Sequence, residues 1–309
     1  MASEIHAAID IGTNTVLLLV AAKEGQNINS LREEQRIPRL GKGVDSSSNL
    51  DEKSIQRVID VLQEYKQIMN SSYPNIKSVT VTATSAVRDA ENRKDFILSI
   101  REATGFQVRV LNGEEEAAYT FNGALSVLPD IENAVVIDIG GGSTEIAVGE
   151  HGRLLDSHSF DMGSVRFTER FLRQDPPAER EIVECRNAIN ELLDKRLFSL
   201  GHSTGDIALV GVAGTVTSLA YMDMGLENFE PDKINGYKLS HQKLKEWIAT
   251  ISETSSEDLI EKYPEVMKGR AEVILAGLLI LNEFMNYYKI PSFTVSTGGI
   301  RHGTILNSS

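Results

Sequence analysis

Two apolar stretches of the chain are each interrupted by a short polar turn at nearly the same place. The stretch "AAIDIGTNTVLLLV" at residues 7–20 has the same form as "VVIDIGGGSTEIAVG" at residues 135–149. When Asp138 is overlaid on Asp10, the flanking Ile-Asp-Ile-Gly residues and a later valine coincide as well. Apolar β-rich runs on both sides of a glycine turn predict a hairpin. The sequence therefore predicts two equivalent hairpins, each opening a lobe of its own.

Strand and helix patterns alternate after each hairpin. Apolar residues at helical spacing predict four helices, at about 51–69, 178–199, 241–252 and 268–288. Apolar runs that pass into a turn or helix predict further strands within "SVTVTATSAVRDA", "FQVRVL", "IALVGVAGTVTSLA" and "FTVSTGGIRHGTIL". Alternating strands and helices indicate an α/β fold.

The duplicated hairpin predicts two related lobes around a central cleft. A chain of 309 residues is long enough for two cores, since domains usually contain about 100 to 200 residues. We expect the first lobe over residues 1–124, and the C-terminal helix 300–309 is a candidate to join this lobe. The second lobe is expected over residues 125–309. Ligand sites favour clefts between lobes, so the functional residues are expected there.

Charge and composition restrict the partners. The formal net charge of −13 argues against a broad nucleic-acid or anionic-membrane surface, because both require extended positive potential. The apolar run Val16–Ala22 is too short to span a bilayer, and the N-terminus shows no targeting signal. A single cysteine, Cys185, excludes an intramolecular disulfide and is typical of a reducing compartment. We therefore expect a cytoplasmic protein without a nucleic-acid or membrane partner.

The two hairpin turns are candidate phosphate loops. Turns rich in glycine, threonine and serine present backbone N–H groups and hydroxyls to phosphate oxygens. The residues concerned are Gly12, Thr13, Asn14 and Thr15 in the first turn, and Gly140, Gly141, Gly142 and Ser143 in the second. Asp10 and Asp138 precede the turns at strand ends, where a carboxylate can hold Mg²⁺ beside bound phosphate. Ordinary hairpin turns are the alternative interpretation, and the duplication favours phosphate binding.

A run of three glutamates opens a predicted helix after Asn112. Asn112 can cap this helix, and Glu114 and Glu115 are favoured in a first turn by the helix dipole and by a capping box. Glu116 lies one step deeper. Its carboxylate could act as a general base that holds the water attacking phosphorus.

Three arginines next to turns are candidate phosphate ligands. Arg88 follows the strand end "TATSA" and could bind phosphate oxygens in a bidentate manner, although a solvated helix arginine is the alternative. Arg166 lies in "MGSVRFTERF", and Arg301 follows the glycine pair in "STGGIRHG". The sequence lacks a GxSxG elbow, a GxxxxGK[ST] loop and an HxxxH spacing, which favours metal-assisted attack by water over a covalent mechanism.

These motifs resemble the exopolyphosphatase and guanosine pentaphosphate phosphatase family, within the superfamily of actin, Hsp70 and sugar kinases. The resemblance covers nearly the whole chain and follows the family's order: "IDIGTNT", "RLGKGV", "TATSAVRDA", "NGEEEA", "VIDIGGGSTEI", "MGSVRFTE", "GVAGTVTSLA", "GRAEVILAG" and "GGIRHG". It implies two ribonuclease-H-like, actin-like ATPase lobes around the cleft. Glu272 stands where the family more often has aspartate.

The resemblance also implies an activity and the residues that carry it. Glu116 corresponds to the catalytic glutamate, and Arg88 corresponds to the arginine that contacts phosphate. Asp138 and Glu145 correspond to the metal-associated carboxylates, and Asp10 has the equivalent place in the first lobe. The implied reaction is Mg²⁺-dependent release of terminal phosphate from inorganic polyphosphate, by a homodimer. Longer members append a helical domain, so a sequence ending at Ser309 is expected to retain the chemistry with a weaker grip on long chains.

Two alternative functions stay open at this point. The substrate could be guanosine pentaphosphate, from which the same chemistry would remove the 5′ terminal phosphate; competition by guanosine nucleotides would reveal it. A protein of another class, a phosphate-ligand sensor or an actin-like ATP-binding module, could close on its ligand without turnover.

Overall fold

The computed structural model describes residues 3–198 and 207–308. Within these ranges, none of the helices has the length and apolar character needed to cross a bilayer. The predicted helix over 178–199 ends one residue outside the described residues, at position 199.

The chain separates into two compact units. The first contains Met1–Ser126 together with Gly298–Ser309, and the second contains Val127–Thr297. The C-terminal segment thus returns to the first unit after the chain has completed the second.

The first unit is built on a five-stranded sheet. Its strands are β1 (Glu4–Ile11), β2 (Val16–Glu24), β3 (Asn27–Arg36), β4 (Ile76–Ala83) and β5 (Val108–Val110), in the order β3-β2-β1-β4-β5. The first three strands are antiparallel neighbours, and β4 and β5 run parallel to β1. The predicted first hairpin is therefore confirmed, and β3 extends it as a strand that was not predicted.

Five helices follow the strands of this unit. They are α1 (Val44–Ser47), α2 (Glu52–Ser72), α3 (Ser85–Asp89), α4 (Arg93–Thr104) and α5 (Gly113–Ser126). Helix α2 begins because the Asp51 side chain accepts a hydrogen bond from the Ser54 N–H. Its apolar stripe, which includes Leu62 and Tyr65, packs with α4 against one face of the sheet. The alternation of strand side chains leaves Asp10 on the opposite face.

The second unit repeats this arrangement. Its strands are β6 (Asn133–Ile139), β7 (Thr144–Glu150), β8 (Arg153–Phe160), β9 (Ala208–Val212), β10 (Lys238–Ser240) and β11 (Ser292–Val295). Their order is β10-β11-β9-β6-β7-β8, so that β8, β7, β6, β9 and β11 take the places of β3, β2, β1, β4 and β5. The predicted α/β fold with two related sheets is confirmed.

The helices of the second unit bury a large apolar core against this sheet. They are α6 (Ser164–Phe171), α7 (Glu179–Asp194), α8 (Ala213–Met224), α9 (Pro231–Ile234), α10 (His241–Ser252), α11 (Ser256–Lys262), α12 (Pro264–Met267) and α13 (Ile274–Tyr288). The prediction of helix 241–252 is confirmed. The prediction of one helix over 268–288 is wrong at its start, because Gly269 has a positive φ of 79° that interrupts the helical backbone before α13. Helix α7 ends at Asp194, before the predicted end at residue 199.

The last helix, α14 (Ile300–Leu306), packs in the first unit against α5, β1 and β2. Two glycines allow the two helices to approach closely. A Cβ atom on Gly303 would overlap the backbone carbonyl of Tyr119 in α5, and one on Gly123 would overlap the carbonyl of Gly299. Since α5 carries Glu116 in its first turn, α14 fixes the position of the helix that holds the predicted catalytic carboxylate.

We expect Gly303→Ala to lower the stability of the protein. Overpacking of a tight contact typically costs about 1–3 kcal/mol, and here the obstruction is backbone, which cannot rotate away. The midpoint of urea unfolding, followed by circular dichroism, should fall clearly. Gly299→Ala is the matched control, because nothing lies within 4 Å of a Cβ atom at that position; its midpoint should stay near that of the wild type. Equal midpoints for both variants would contradict the close packing of α14 on α5.

Candidate active site

The two predicted phosphate loops have the same backbone structure. In the first loop the Gly12 N–H donates to the Thr15 carbonyl at 2.9 Å, and in the second the Gly140 N–H donates to the Ser143 carbonyl at 3.0 Å. Each loop joins two antiparallel strands in equivalent register. The sequence repeat is therefore a repeat of three-dimensional structure.

The first loop is held by the segment "RLG" at residues 39–41. The Arg39 N–H donates to the Asn14 carbonyl at 3.1 Å, and the Gly41 N–H donates to the Thr13 carbonyl at 2.7 Å. A Cβ atom on Gly41 would overlap the Thr13 methyl group and lie 3.1 Å from Ala86 Cβ in α3. Because residue 41 has no side chain, this segment can pack closely against both the first loop and the short helix that carries Arg88.

We expect Gly41→Ala to lower kcat/KM for phosphate release by about tenfold, because displacement of a positioning group by about 1 Å can cost up to about 10²-fold. Thr13→Ser removes the obstructing methyl group and keeps the hydroxyl, so it should cost little by itself. In the double variant the rate should partly recover. If the double variant is as slow as or slower than Gly41→Ala, the overlap with Thr13 is not the cause.

The second loop is held by the start of α6. The N–H groups of Ser164 and Val165 donate to the Gly140 and Gly141 carbonyls at 2.9 and 2.8 Å. Arg166 donates from its Nε to the Gly142 carbonyl at 2.7 Å, and from its backbone N–H to the Gly141 carbonyl at 3.0 Å. The structure therefore brings Arg166 to the second predicted phosphate loop.

Two carboxylates lie side by side where β6 enters the second loop. Asp138 and Glu145 are directly opposite each other in the antiparallel β6–β7 pair. Residues paired in this way project to the same face of a sheet with their Cβ atoms about 4.5–5.5 Å apart. Mg²⁺ is usually held by one or two carboxylates, with water and substrate phosphates as further ligands. The pair fits a magnesium ion, and among the described residues no cluster of three or more histidine, cysteine or acidic side chains is suited to a metal.

Asp10 occupies the equivalent place in the first unit but has different surroundings. Its cross-strand neighbour on β2 is Leu17, where the second unit has Glu145. Its carboxylate accepts a hydrogen bond from the Thr82 hydroxyl at 3.3 Å. The first hairpin thus lacks the acidic cross-strand pair of the second, and the role of Asp10 at a metal stays a prediction.

Glu116 and Arg88 are in direct contact. Arg88 Nη1 donates to Glu116 Oε2 at 2.7 Å and to the Leu111 carbonyl at 3.2 Å. Glu116 is 7% exposed. Both residues and the first loop follow the carboxyl ends of the parallel strands β1, β4 and β5, the edge at which open α/β sheets bind ligands.

Glu115, the middle glutamate of the run, has a local role at the start of α5. The Asn112 side chain accepts from the Glu115 N–H at 2.9 Å, and the Glu115 carboxylate accepts from the Asn112 N–H at 3.0 Å. This is the predicted capping box, and the Asn112 N–H together with Arg109 lowers the pKa of Glu115. Glu114 is exposed. The Glu115 carboxylate is engaged in the helix cap, and Glu116 is the buried carboxylate of the turn.

Arg301 lies on the sheet of the first unit. Its guanidinium donates to the Leu18 carbonyl at 2.8 Å and to Glu33 at 2.9 Å, which ties α14 to β2 and β3. A role for Arg301 in phosphate binding stays a prediction.

Comparison with known proteins identifies the family. Residues 19–309 match the Ppx/GppA phosphatase family. The chain belongs to that family. It is thus a hydrolase that acts on phosphoanhydride bonds, and the resemblance seen in the sequence is confirmed.

Relatives of this Ppx/GppA chain match it over almost its full length. Exopolyphosphatase 2 of Mycobacterium tuberculosis is 32% identical over 316 residues, which cover 97% of each protein. The solved structure of the Aquifex aeolicus Ppx/GppA family member is 30% identical, with a TM-score of 0.83 over 100% of both chains. The structure of an exopolyphosphatase from Cytophaga hutchinsonii is 26% identical, with a TM-score of 0.88 over 98% of both chains.

One further cation of this Ppx/GppA chain was not predicted as a site residue. The Arg270 guanidinium lies against Gly214 in the first turn of α8, where a Cβ atom on the glycine would be 2.6 Å from Arg270 Cζ. Burial lowers the pKa of Arg270 to about 10, so it stays cationic at neutral pH. Because α8 follows β9, which runs parallel to β6, Arg270 and the second loop belong to the same edge of their sheet. The motif "GRAEVILAG" contained this arginine, but nothing in its spacing indicated a contact with "GVAGT".

Proposed function

We propose that the protein is an exopolyphosphatase, which releases terminal orthophosphate from inorganic polyphosphate in the presence of Mg²⁺. The observation that carries the proposal is the buried Glu116 carboxylate, held by Arg88 at 2.7 Å on the carboxyl edge of a sheet that also bears a phosphate loop. A buried carboxylate held in one orientation, beside groups that donate hydrogen bonds to phosphate, is suited to act as the general base when water attacks phosphorus.

In the proposed reaction, Glu116 accepts a proton from the attacking water. The water oxygen forms a bond to the terminal phosphorus, and the bond from that phosphorus to the bridging oxygen breaks. The electron pair of the broken bond stays on the bridging oxygen, which becomes the new end of the shortened chain. The products are orthophosphate and a polyphosphate one unit shorter.

Backbone N–H groups and arginine side chains that bind the phosphate oxygens supply most of the remaining catalysis, because phosphoryl transfer depends mainly on orientation of the substrate and stabilisation of its charge. Each unit has a predicted phosphate loop, and the two loops have the same backbone structure. Arg88 belongs to the first unit, and Arg166 and Arg270 belong to the second. Such local cations can bind a polyanion even though the formal net charge of the whole chain is −13.

Asp138 and Glu145 would hold the magnesium ion. When bound, Mg²⁺ neutralises charge on the phosphate oxygens. The two carboxylates are adjacent across β6 and β7 and flank the second loop in the chain. A cation bound by both of them would also lie near a phosphate bound by that loop.

The relatives favour polyphosphate as the substrate. Two of the matched proteins are named exopolyphosphatases, and the chain covers 97% and 98% of them. Guanosine pentaphosphate is the second candidate, because the family resemblance of the sequence implies this activity as well and the matched family is the Ppx/GppA phosphatase family. Both substrates end in a phosphoanhydride, so the same carboxylate and loops would serve either one.

A panel of substrates tests the proposal. Purified protein with Mg²⁺ is given long polyphosphate, short polyphosphate, guanosine pentaphosphate and ATP in parallel, and orthophosphate is measured. We expect the highest kcat/KM with polyphosphate. Preference for guanosine pentaphosphate, with inhibition by guanosine nucleotides, would replace polyphosphate by the nucleotide. Binding without release from any of them would favour a phosphate sensor.

The proposal includes a cytoplasmic homodimer. Cys185 is buried, and burial raises the pKa of its thiol to about 12, which is compatible with a reducing compartment and an unreactive thiol. Sedimentation equilibrium should give twice the chain mass of 34.0 kDa. A monomer at micromolar concentration would remove the dimer from the proposal.

A further inference from the structure

Three polar residues form one row across neighbouring strands of the second unit. Asp138 on β6 pairs with Glu145 on β7, and Glu145 pairs in turn with Ser159 on β8. Paired residues on adjacent strands project to the same face of a sheet. The row therefore places the Ser159 hydroxyl on the side of Glu145 that is opposite Asp138.

The Ser159 hydroxyl makes a short hydrogen bond to the central carboxylate. Its Oγ donates to Glu145 Oε1 at 2.6 Å. This is the length expected for a hydroxyl that donates to an ionised carboxylate, and such charge-assisted bonds are about twice as strong as neutral ones. Glu145 is 2% exposed, so water contributes little to orienting it. The serine hydroxyl thus fixes the plane of a carboxylate that solvent cannot hold.

We infer that Ser159 is a positioning residue for the divalent cation: it orients the Glu145 carboxylate so that it and Asp138 bind the ion together. The inference rests on the proposed function, since it takes Asp138 and Glu145 as the magnesium ligands. Side chains that orient metal ligands typically contribute about 10- to 100-fold to metal affinity. Ser159 itself does not touch the ion or the substrate.

The test measures binding of Mn²⁺, as a spectroscopic substitute for Mg²⁺, by electron paramagnetic resonance of the free ion. Ser159→Ala should raise the Kd for Mn²⁺ about tenfold or more. Ser159→Thr keeps a hydroxyl at the same position and should restore binding to within a few-fold of the wild type. Ser157→Ala is the matched control, because Ser157 lies on the same face of β8 opposite Ala147; it should leave the Kd unchanged.

Catalysis gives a second measurement. The Mg²⁺ concentration for half-maximal phosphate release should rise in Ser159→Ala, while the rate at saturating Mg²⁺ stays near that of the wild type. A purely structural role would change stability without moving the Mg²⁺ dependence, and circular dichroism of each variant shows whether it is folded.

Glu145→Gln distinguishes an incorrect role for Ser159 from an incorrect assignment of the metal ligands. If Glu145→Gln weakens Mn²⁺ binding and Ser159→Ala does not, the inference about Ser159 is overturned while the metal ligands stand. If Glu145→Gln and Asp138→Asn both bind Mn²⁺ like the wild type, Asp138 and Glu145 are not the metal ligands. The inferred role of Ser159 is then wrong as well. Loss of Mn²⁺ affinity in Ser159→Ala but recovery in Ser159→Thr supports the inference.

Discussion

Glu116→Gln is expected to release phosphate from polyphosphate about 10² to 10⁴ times more slowly than the wild type, because general base catalysis typically contributes that factor. The substitution keeps the shape of the side chain and an oxygen that can accept from Arg88. It removes the carboxylate that takes the proton from water. The loss should therefore fall on kcat, with KM changed little.

The control for this prediction lies in the same helical turn. Glu114 is exposed to solvent in the first turn of α5. Glu114→Gln changes the charge of the protein by the same amount as Glu116→Gln and should leave kcat within about twofold of the wild type. If the two variants lose activity equally, or if Glu116→Gln retains nearly full kcat, Glu116 is not the base.

Asp138→Asn and Glu145→Gln are expected to lower phosphate release by about 10²-fold or more at physiological Mg²⁺. A bound cation contributes several kcal/mol of charge stabilisation, and each 1.36 kcal/mol corresponds to a factor of ten in rate. Higher Mg²⁺ concentrations should partly restore both variants, because the remaining carboxylate and the substrate phosphates still bind the ion. The measurement is the initial rate as a function of Mg²⁺ concentration.

Asp130→Asn is the charge-matched control for that prediction, because Asp130 is exposed in the connection between α5 and β6. It should follow the wild-type Mg²⁺ dependence. In the wild type, a chelator should abolish release and added Mg²⁺ should restore it. Full activity of the wild type in excess chelator would contradict a metal-dependent reaction.

Local spacing was sufficient to predict the parts of the site that lie within one element or one turn. Apolar β-rich runs on both sides of the two glycine turns predict both hairpins, and the registers of the hairpins are equivalent because the two turns are equally long. The three-residue spacing of Asn112 and Glu115 predicts the capping box, and the structure shows both of its hydrogen bonds. Glu116 follows from the same turn as the next residue inward.

Contacts between distant segments could not be read from spacing. Ser159 reaches Glu145 only after a third strand, β8, pairs with β7 and a register shift between Val148 and Gly149 is absorbed. Gly41 meets Thr13 because a loop returns to the first turn, and no periodic pattern marks that return. Such contacts depend on how the segments pack, which one-dimensional patterns do not encode.

Arginines near glycine turns show that position along the chain does not determine what a guanidinium contacts. Arg166 and Arg301 both follow glycines, and both were predicted to bind phosphate. The structure places Arg166 against the carbonyls of the second loop, whereas Arg301 bonds to β2 and β3. Arg270 directly follows Gly269 and was not predicted as a ligand, yet it lies against the first turn of α8. Phosphate binding by each of these arginines stays a prediction.

Time-resolved ³¹P nuclear magnetic resonance of the purified protein with long polyphosphate and Mg²⁺ shows whether phosphate is released from the chain ends. The spectrum distinguishes orthophosphate, chain-end phosphates and internal phosphates. We expect the orthophosphate signal to grow as internal phosphate disappears, while the number of chain ends stays constant until the chains are short. An increase in chain ends without orthophosphate, or an unchanged spectrum, would contradict release of terminal phosphate by this protein.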